Sequence, residues 1–123
     1  MHTFKIFKGV VNLLVLIALG VFLNINIAIA ATDSVIIDVR TPGEYSQSHI
    51  KGALNIDIYS PQFRSQIEKL DKNKHYEVYC RSGSRSSQAV RIMKDMNFKK
   101  VTDRGGLGQI YSDPKLRCEG PSC

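Results

Sequence analysis

The segment Cys80-Arg81-Ser82-Gly83-Ser84-Arg85-Ser86 packs a thiol, two guanidinium groups, three hydroxyls and a glycine into seven consecutive positions. A thiol becomes a strong nucleophile when unpaired main-chain N–H groups or cations favour its ionised form. This one sits at a junction. Tyr76-Glu77-Val78-Tyr79-Cys80 reads as a strand, and Ser86–Met96 reads as a helix with Ala89, Ile92, Met93 and Met96 on one face. The first N–H groups of a helix lack intrahelical partners and carry partial positive charge, so a loop curling over them makes an anion cradle. Ser82, Gly83 and Ser84 are small enough for their amides to converge, and Gly83 can adopt positive φ without steric cost. Arg81 and Arg85 would add planar forks matched to oxyanions. A helix end alone contributes about 1 kcal/mol, so the loop amides and arginines must supply the rest of any depression of Cys80. The competing reading makes Cys80 an inert buried strand residue followed by a solvated loop. Two arginines, a glycine and a helix start in the next six positions favour the nucleophile.

The elements needed to position this loop are legible along the chain. Ser34-Val35-Ile36-Ile37-Asp38-Val39 is a continuous β-branched run, as in a strand buried on both faces. Thr41-Pro42-Gly43-Glu44 reads as a helix start, with Thr41 as N-cap and Pro42 at the first helical position. Ala53-Leu54-Asn55-Ile56 is a second short strand. Ser60-Pro61 opens a helix carrying Phe63, Ile67 and Leu70, and Lys99-Lys100-Val101-Thr102-Asp103 is a last strand before Gly105-Gly106. Strands alternating with helices imply an α/β fold: one domain with a mainly parallel sheet flanked by helices. In such a sheet the ligand edge is the one where strands end and helices begin, which is where Cys80 falls.

The 123 residues suffice for one domain. Residues 1–30 differ from the rest. Lys5 and Lys8 precede an apolar run, Val10–Leu23, and Ala28-Ile29-Ala30 offers small residues at a peptidase site. This reads as a secretory signal peptide cut after Ala30, with an uncleaved anchor as the alternative. Either way the remainder is exported, to a periplasm or an equivalent space, facing the same side of the membrane. The expected organisation is a leader over 1–30, a domain over 31–112 and a tail over 113–123. Cys118 and Cys123 bracket a short turn in that tail and can close a small loop; a Cys118–Cys80 pairing is the other possibility. Beyond the leader, 15 basic and 11 acidic residues leave a modest positive balance. With no tryptophan and no interleaving of basic and aromatic residues, nucleic-acid recognition is not expected.

Taken together, these segments resemble the rhodanese family of sulfurtransferases. The loop fits their pattern of Cys, two residues, Gly, one residue, Arg, Ser. Ile37-Asp38-Val39-Arg40-Thr41-Pro42-Gly43-Glu44-Tyr45 is similar to their N-terminal signature, and His49-Ile50-Lys51-Gly52-Ala53-Leu54-Asn55-Ile56 to the segment after it. Gly105-Gly106 matches the glycine pair after their last strand, so the likeness spans Val35–Ile110. Lys51 departs from it, standing where the family often has proline. The resemblance implies a single rhodanese-like domain without metal or organic cofactor, expected to be monomeric. It implies transfer of sulfane sulfur from thiosulfate, a small anionic donor, to cyanide or a thiol through a persulfide on Cys80. Ser82, Gly83, Ser84 and Ser86 would cradle the anion, and Arg81 and Arg85 would hold its sulfonate end.

Two rivals bear on this reading. A phosphatase or arsenate reductase on the same scaffold uses a loop one residue longer, with His before the cysteine; here Tyr79 precedes Cys80 and Arg85 follows it by five. A persulfide carrier without thiosulfate turnover would carry the same loop. Asp38 and Arg40 either order the loop from a strand end or form a bracket with Glu44 that fixes the first βα turn. The bracket is favoured, since βα turns commonly carry such caps. His49 is read as structural or solvated, and Lys72, Lys74, Lys99 and Lys100 as solvated faces that can draw in dianions.

Overall fold

A computed structural model describes residues 33–123. The expected leader and its cleavage site lie outside the described residues. Among those described, the order is β1 (Val35–Asp38), α1 (Pro42–Gln47), β2 (His49–Ile50), β3 (Leu54–Asn55), α2 (Phe63–Glu68), β4 (His75–Tyr79), α3 (Ser84–Asp95), β5 (Lys100–Gly105), α4 (Leu107–Tyr111) and β6 (Cys118–Glu119). Four strands make a parallel sheet in the order β3-β1-β4-β5. The expected parallel α/β architecture is therefore what forms.

Side-chain alternation along the two central strands splits the core into two layers. Ile37 and Val39, with Tyr76, Val78 and Cys80, pack against Phe63 and Ile67 of α2 and Ala89, Val90 and Met93 of α3. Tyr79 turns to the other layer with Ile50, Ala53 and Ile110, flanked by Ile36, Tyr45 and Leu107. Cys80 thus lies on the face that α3 covers, one residue beyond the end of β4.

The first βα turn forms as the residues demand. Thr41 caps α1: its Oγ1 accepts from Glu44 N–H at 3.3 Å while its own N–H donates to Glu44 Oε2 at 3.1 Å, with Pro42 at the start of the helix. Two helix starts differ from expectation. The α2 helix begins at Phe63, because Ser60 and Pro61 make a turn in which Ser60 Oγ accepts from Gln62 N–H at 3.2 Å. The α3 helix begins earlier, at Ser84, because Gly83 at φ 97° ends the loop and starts the helix.

Residues 113–123 are not a free tail. Strand β6 pairs antiparallel with β2, His49 opposite Glu119 and Ile50 opposite Cys118. Lys51 N–H donates to Arg117 O at 2.7 Å, and Ser122 N–H donates to Gln47 O at 2.9 Å. Cys118 and Cys123 are joined in a disulfide with Cα atoms 5.8 Å apart, and Cys80 is the free cysteine.

Candidate active site

The Cys80 loop is built by β4, α3 and the glycine pair after β5. Cys80 N–H donates to Gly105 O at 3.0 Å, which ties the end of β4 to β5. Across the loop, Leu107 N–H donates to Arg81 O at 3.0 Å, and Ser82 pairs with Gly106 in an isolated antiparallel bridge. Gly106 is required by this close approach: a Cβ there would stand 2.6 Å from Arg81 O.

The resulting turn aims N–H groups at sulfur. Gly83 N–H donates to Cys80 Sγ at 3.0 Å, and Ser86 Oγ lies 3.6 Å from Sγ. Cys80 is fully buried. Burial pushes its thiol up, but the Ser86 hydroxyl and the N–H groups of Ser86, Gly83 and Ser82 outweigh that, leaving the thiol below its ordinary range. Ser86 is also fully buried, whereas Ser82 and Ser84 are exposed.

The arginines divide differently from expectation. Arg85 meets Glu44 fork to fork, Nη1 to Oε2 at 2.7 Å and Nη2 to Oε1 at 2.8 Å. The Arg85 guanidinium holds the Glu44 carboxyl down at about 2, and Glu44 in turn raises Arg85. Arg85 also lies 5.7 Å from the ring centroid of Tyr59, which is 69% exposed. Its charge is therefore largely compensated by Glu44, so main-chain N–H groups and Ser86, not guanidinium charge, chiefly depress Cys80. Arg81 is exposed, and its guanidinium has no hydrogen-bond partner among the described residues.

Asp38 and Arg40 form the bracket, but without Glu44. Arg40 Nη2 stands 2.7 Å from Asp38 Oδ2 and donates to Ser48 O at 2.6 Å; Arg40 Nε donates to Asp38 Oδ1 at 3.0 Å. Both side chains are buried. Asn55 Nδ2 donates to the carbonyls of Asp38 and Arg40, closing β3 onto the same turn. Glu44 instead spans from Thr41 to Arg85, linking the cap of α1 to the loop. Its Thr-x-x-Glu spacing announces the cap, but no sequence signal announces a partner 41 residues away. Asp103, which meets Ser86 Oγ at 2.8 Å, likewise carries no sequence signal for that contact. Among the described residues, no group of three or more His, Cys, Asp or Glu side chains is placed to hold a metal ion.

A family model described as the rhodanese-like domain matches residues 26–109. The chain belongs to the rhodanese-like family. It is 40% identical over 81 residues to the thiosulfate sulfurtransferase PspE of Escherichia coli K12, a match spanning 66% of this chain and 77% of that protein. A protein named sulfurtransferase from Allochromatium vinosum is 33% identical over 76 residues, spanning 61% of this chain and 69% of its own. A solved E. coli structure titled rhodanese with anions superposes with a TM-score of 0.59 at 34% identity, covering 71% of this chain and 98% of that one. The family match over residues 26–109 takes in the strand, the loop and the helix that position Cys80.

Proposed function

We propose that this rhodanese-family sulfurtransferase moves sulfane sulfur from thiosulfate to a thiol or cyanide through a persulfide on Cys80. The observation that supports it best is the Gly83 N–H at 3.0 Å from a buried sulfur at the start of α3. That geometry favours a thiolate over a thiol. In the first step the thiolate attacks the outer sulfur of thiosulfate. The new Cys80 S–S bond forms as the S–S bond to the sulfonate breaks, and sulfite leaves with the electron pair. In the second step cyanide, or an acceptor thiolate, attacks the terminal sulfur and returns Cys80 as thiolate. Both the persulfide anion and the leaving sulfite carry charge that the fixed N–H groups of Ser82, Gly83, Ser84 and Ser86 can stabilise without reorganisation. Arg81 is free to meet the sulfonate, whereas Arg85 reaches it by exchanging Glu44 for the donor.

The leader reading places this chemistry in an exported, periplasm-like space, where the Cys118–Cys123 bridge leaves Cys80 as the free thiol. Sulfite release from thiosulfate with cyanide as acceptor, together with mass spectrometry of the intermediate, tests the proposal. One added sulfur on Cys80 and sulfite in proportion to thiocyanate are expected. An added sulfur without steady-state sulfite release would instead make the chain a persulfide carrier.

A further inference from the structure

Ser86 Oγ has one proton and four partners within reach. Gly83 O is at 3.1 Å, Gly105 O at 3.4 Å, Asp103 Oδ1 at 2.8 Å and Cys80 Sγ at 3.6 Å. Asp103 Oδ1 is both the nearest of these and a carboxylate oxygen, and a charged acceptor takes a hydrogen bond about twice as strongly as a neutral one. Asp103 is itself fixed, because the same Oδ1 accepts from Gly105 N–H at 2.8 Å. With its proton turned to Asp103, Ser86 presents lone pairs to sulfur. It then accepts from the thiol form and gives nothing to the thiolate.

We propose that Asp103 is a positioning residue for the sulfur chemistry: by holding the Ser86 hydroxyl proton away from Cys80 Sγ, it keeps the thiolate less stabilised and more nucleophilic. The N–H groups of Ser82, Gly83 and Ser86 are then left to depress Cys80, and the Ser86 hydroxyl lowers it further only when its proton turns to sulfur. The hydroxyl is a reserve donor that Asp103 withholds. Apart from the exposed Arg81, the other charged groups around the site are already engaged. Arg85 on α3 is paired with Glu44 on α1, and Asp38 at the end of β1 is closed on Arg40 just after it. Arg104 on β5 is bound by Glu77 of β4 and by Asp113. Asp103 is left with Ser86 and Gly105 as its hydrogen-bond partners among the described residues.

The inference rests on Cys80 being the reacting thiolate, as proposed above. Its test therefore reads ionisation directly, and sulfite release checks the underlying reading separately. With the other two cysteines bridged, the ultraviolet absorbance of thiolate reports Cys80 alone in the intact chain. Asp103→Asn keeps an acceptor for Gly105 N–H but loses the charge that holds the Ser86 proton. Its Cys80 midpoint should fall by about one pH unit or more, the amount expected when a hydroxyl turns to donate to an anion. Asp103→Ser, too short to reach Ser86 yet able to accept from Gly105, should do the same. In a Ser86→Ala background neither substitution should move the midpoint. Transfer rates should cross: Asp103→Asn gains at acid pH, where more thiolate is present. It loses about threefold for each unit of lowered midpoint at alkaline pH, where nucleophilicity decides. An unchanged or raised midpoint would overturn the proposal. So would an equal fall in the Ser86→Ala background, which would mean that charge acts through space without the hydroxyl.

Discussion

Glu44→Gln separates the two things Arg85 is asked to do. In the native chain Arg85 is held by two hydrogen bonds from its terminal nitrogens, at 2.7 and 2.8 Å. Any sulfonate that uses those nitrogens must displace a carboxylate. Holding Glu44 at about 2 against an ordinary 4.5 corresponds to roughly 3 kcal/mol if taken whole. The side chains retain 16% and 27% of their exposure, and solvent screening, with the share owed to the Thr41 hydrogen bonds, reduces the figure to about 1–2 kcal/mol. Glutamine still completes the cap with Thr41, so the substitution removes charge without unwinding α1. The KM for thiosulfate should therefore fall, by about tenfold for a difference of that size, with kcat little changed. The same substitution should lower unfolding stability by a similar amount near neutral pH. Because Glu44 is depressed in the folded chain, its contribution is present above 4.5 and disappears as pH falls toward about 2. The stability gap between native and variant should close over that window. Sulfite release against thiosulfate concentration and urea unfolding between pH 2 and 7, roughly the span over which the linkage acts, measure both. A KM that rises or stays constant while stability falls would refute the idea that Glu44 competes with the donor.

Three further outcomes are expected. Cys80→Ser should abolish sulfite release, whereas Cys118→Ser should keep most of it while losing about 2 kcal/mol of stability by denaturant melting, the worth of so short a bridged loop. Arg85→Ala should chiefly raise the thiosulfate concentration needed for half-maximal rate, and unchanged steady-state kinetics would remove it from the donor site. Gly106→Ala places a methyl 2.6 Å from Arg81 O, so the loop must shift. A stability loss of about 1–3 kcal/mol, with a larger fall in transfer rate than in fold content by circular dichroism, should follow.

Much of this site can be seen in the linear chain because its makers are local. Tyr76–Cys80, Gly83 and the apolar face of α3 lie within about two dozen consecutive positions, and each obeys a short-range rule of periodicity or turn geometry. The cap of α1 is legible for the same reason. The Arg85–Glu44 fork and the Ser86–Asp103 contact are not, since they join side chains 41 and 17 residues apart that are brought together only by the order β3-β1-β4-β5. The sequence shows that Arg85 is charged, but which group it meets depends on tertiary placement. Strands β2 and β6 are two residues each, too short to show any alternation, so residues 113–123 read as a loose end. Nothing in Asp113–Cys123 announces that its backbone would find His49 and Ile50.

That pairing makes α1 dependent on a part of the chain far from it. Ser122 and Gln47 are in hydrogen-bond contact across a separation of 75 positions, and a Cβ on Gly120 would collide with Gln47 O at 2.5 Å. The helix so clasped carries Glu44, and Glu44 holds Arg85. Trimming or fusing onto the carboxyl end is thus an operation on the donor-binding side of the molecule, and it should be felt in turnover before it is felt in solubility.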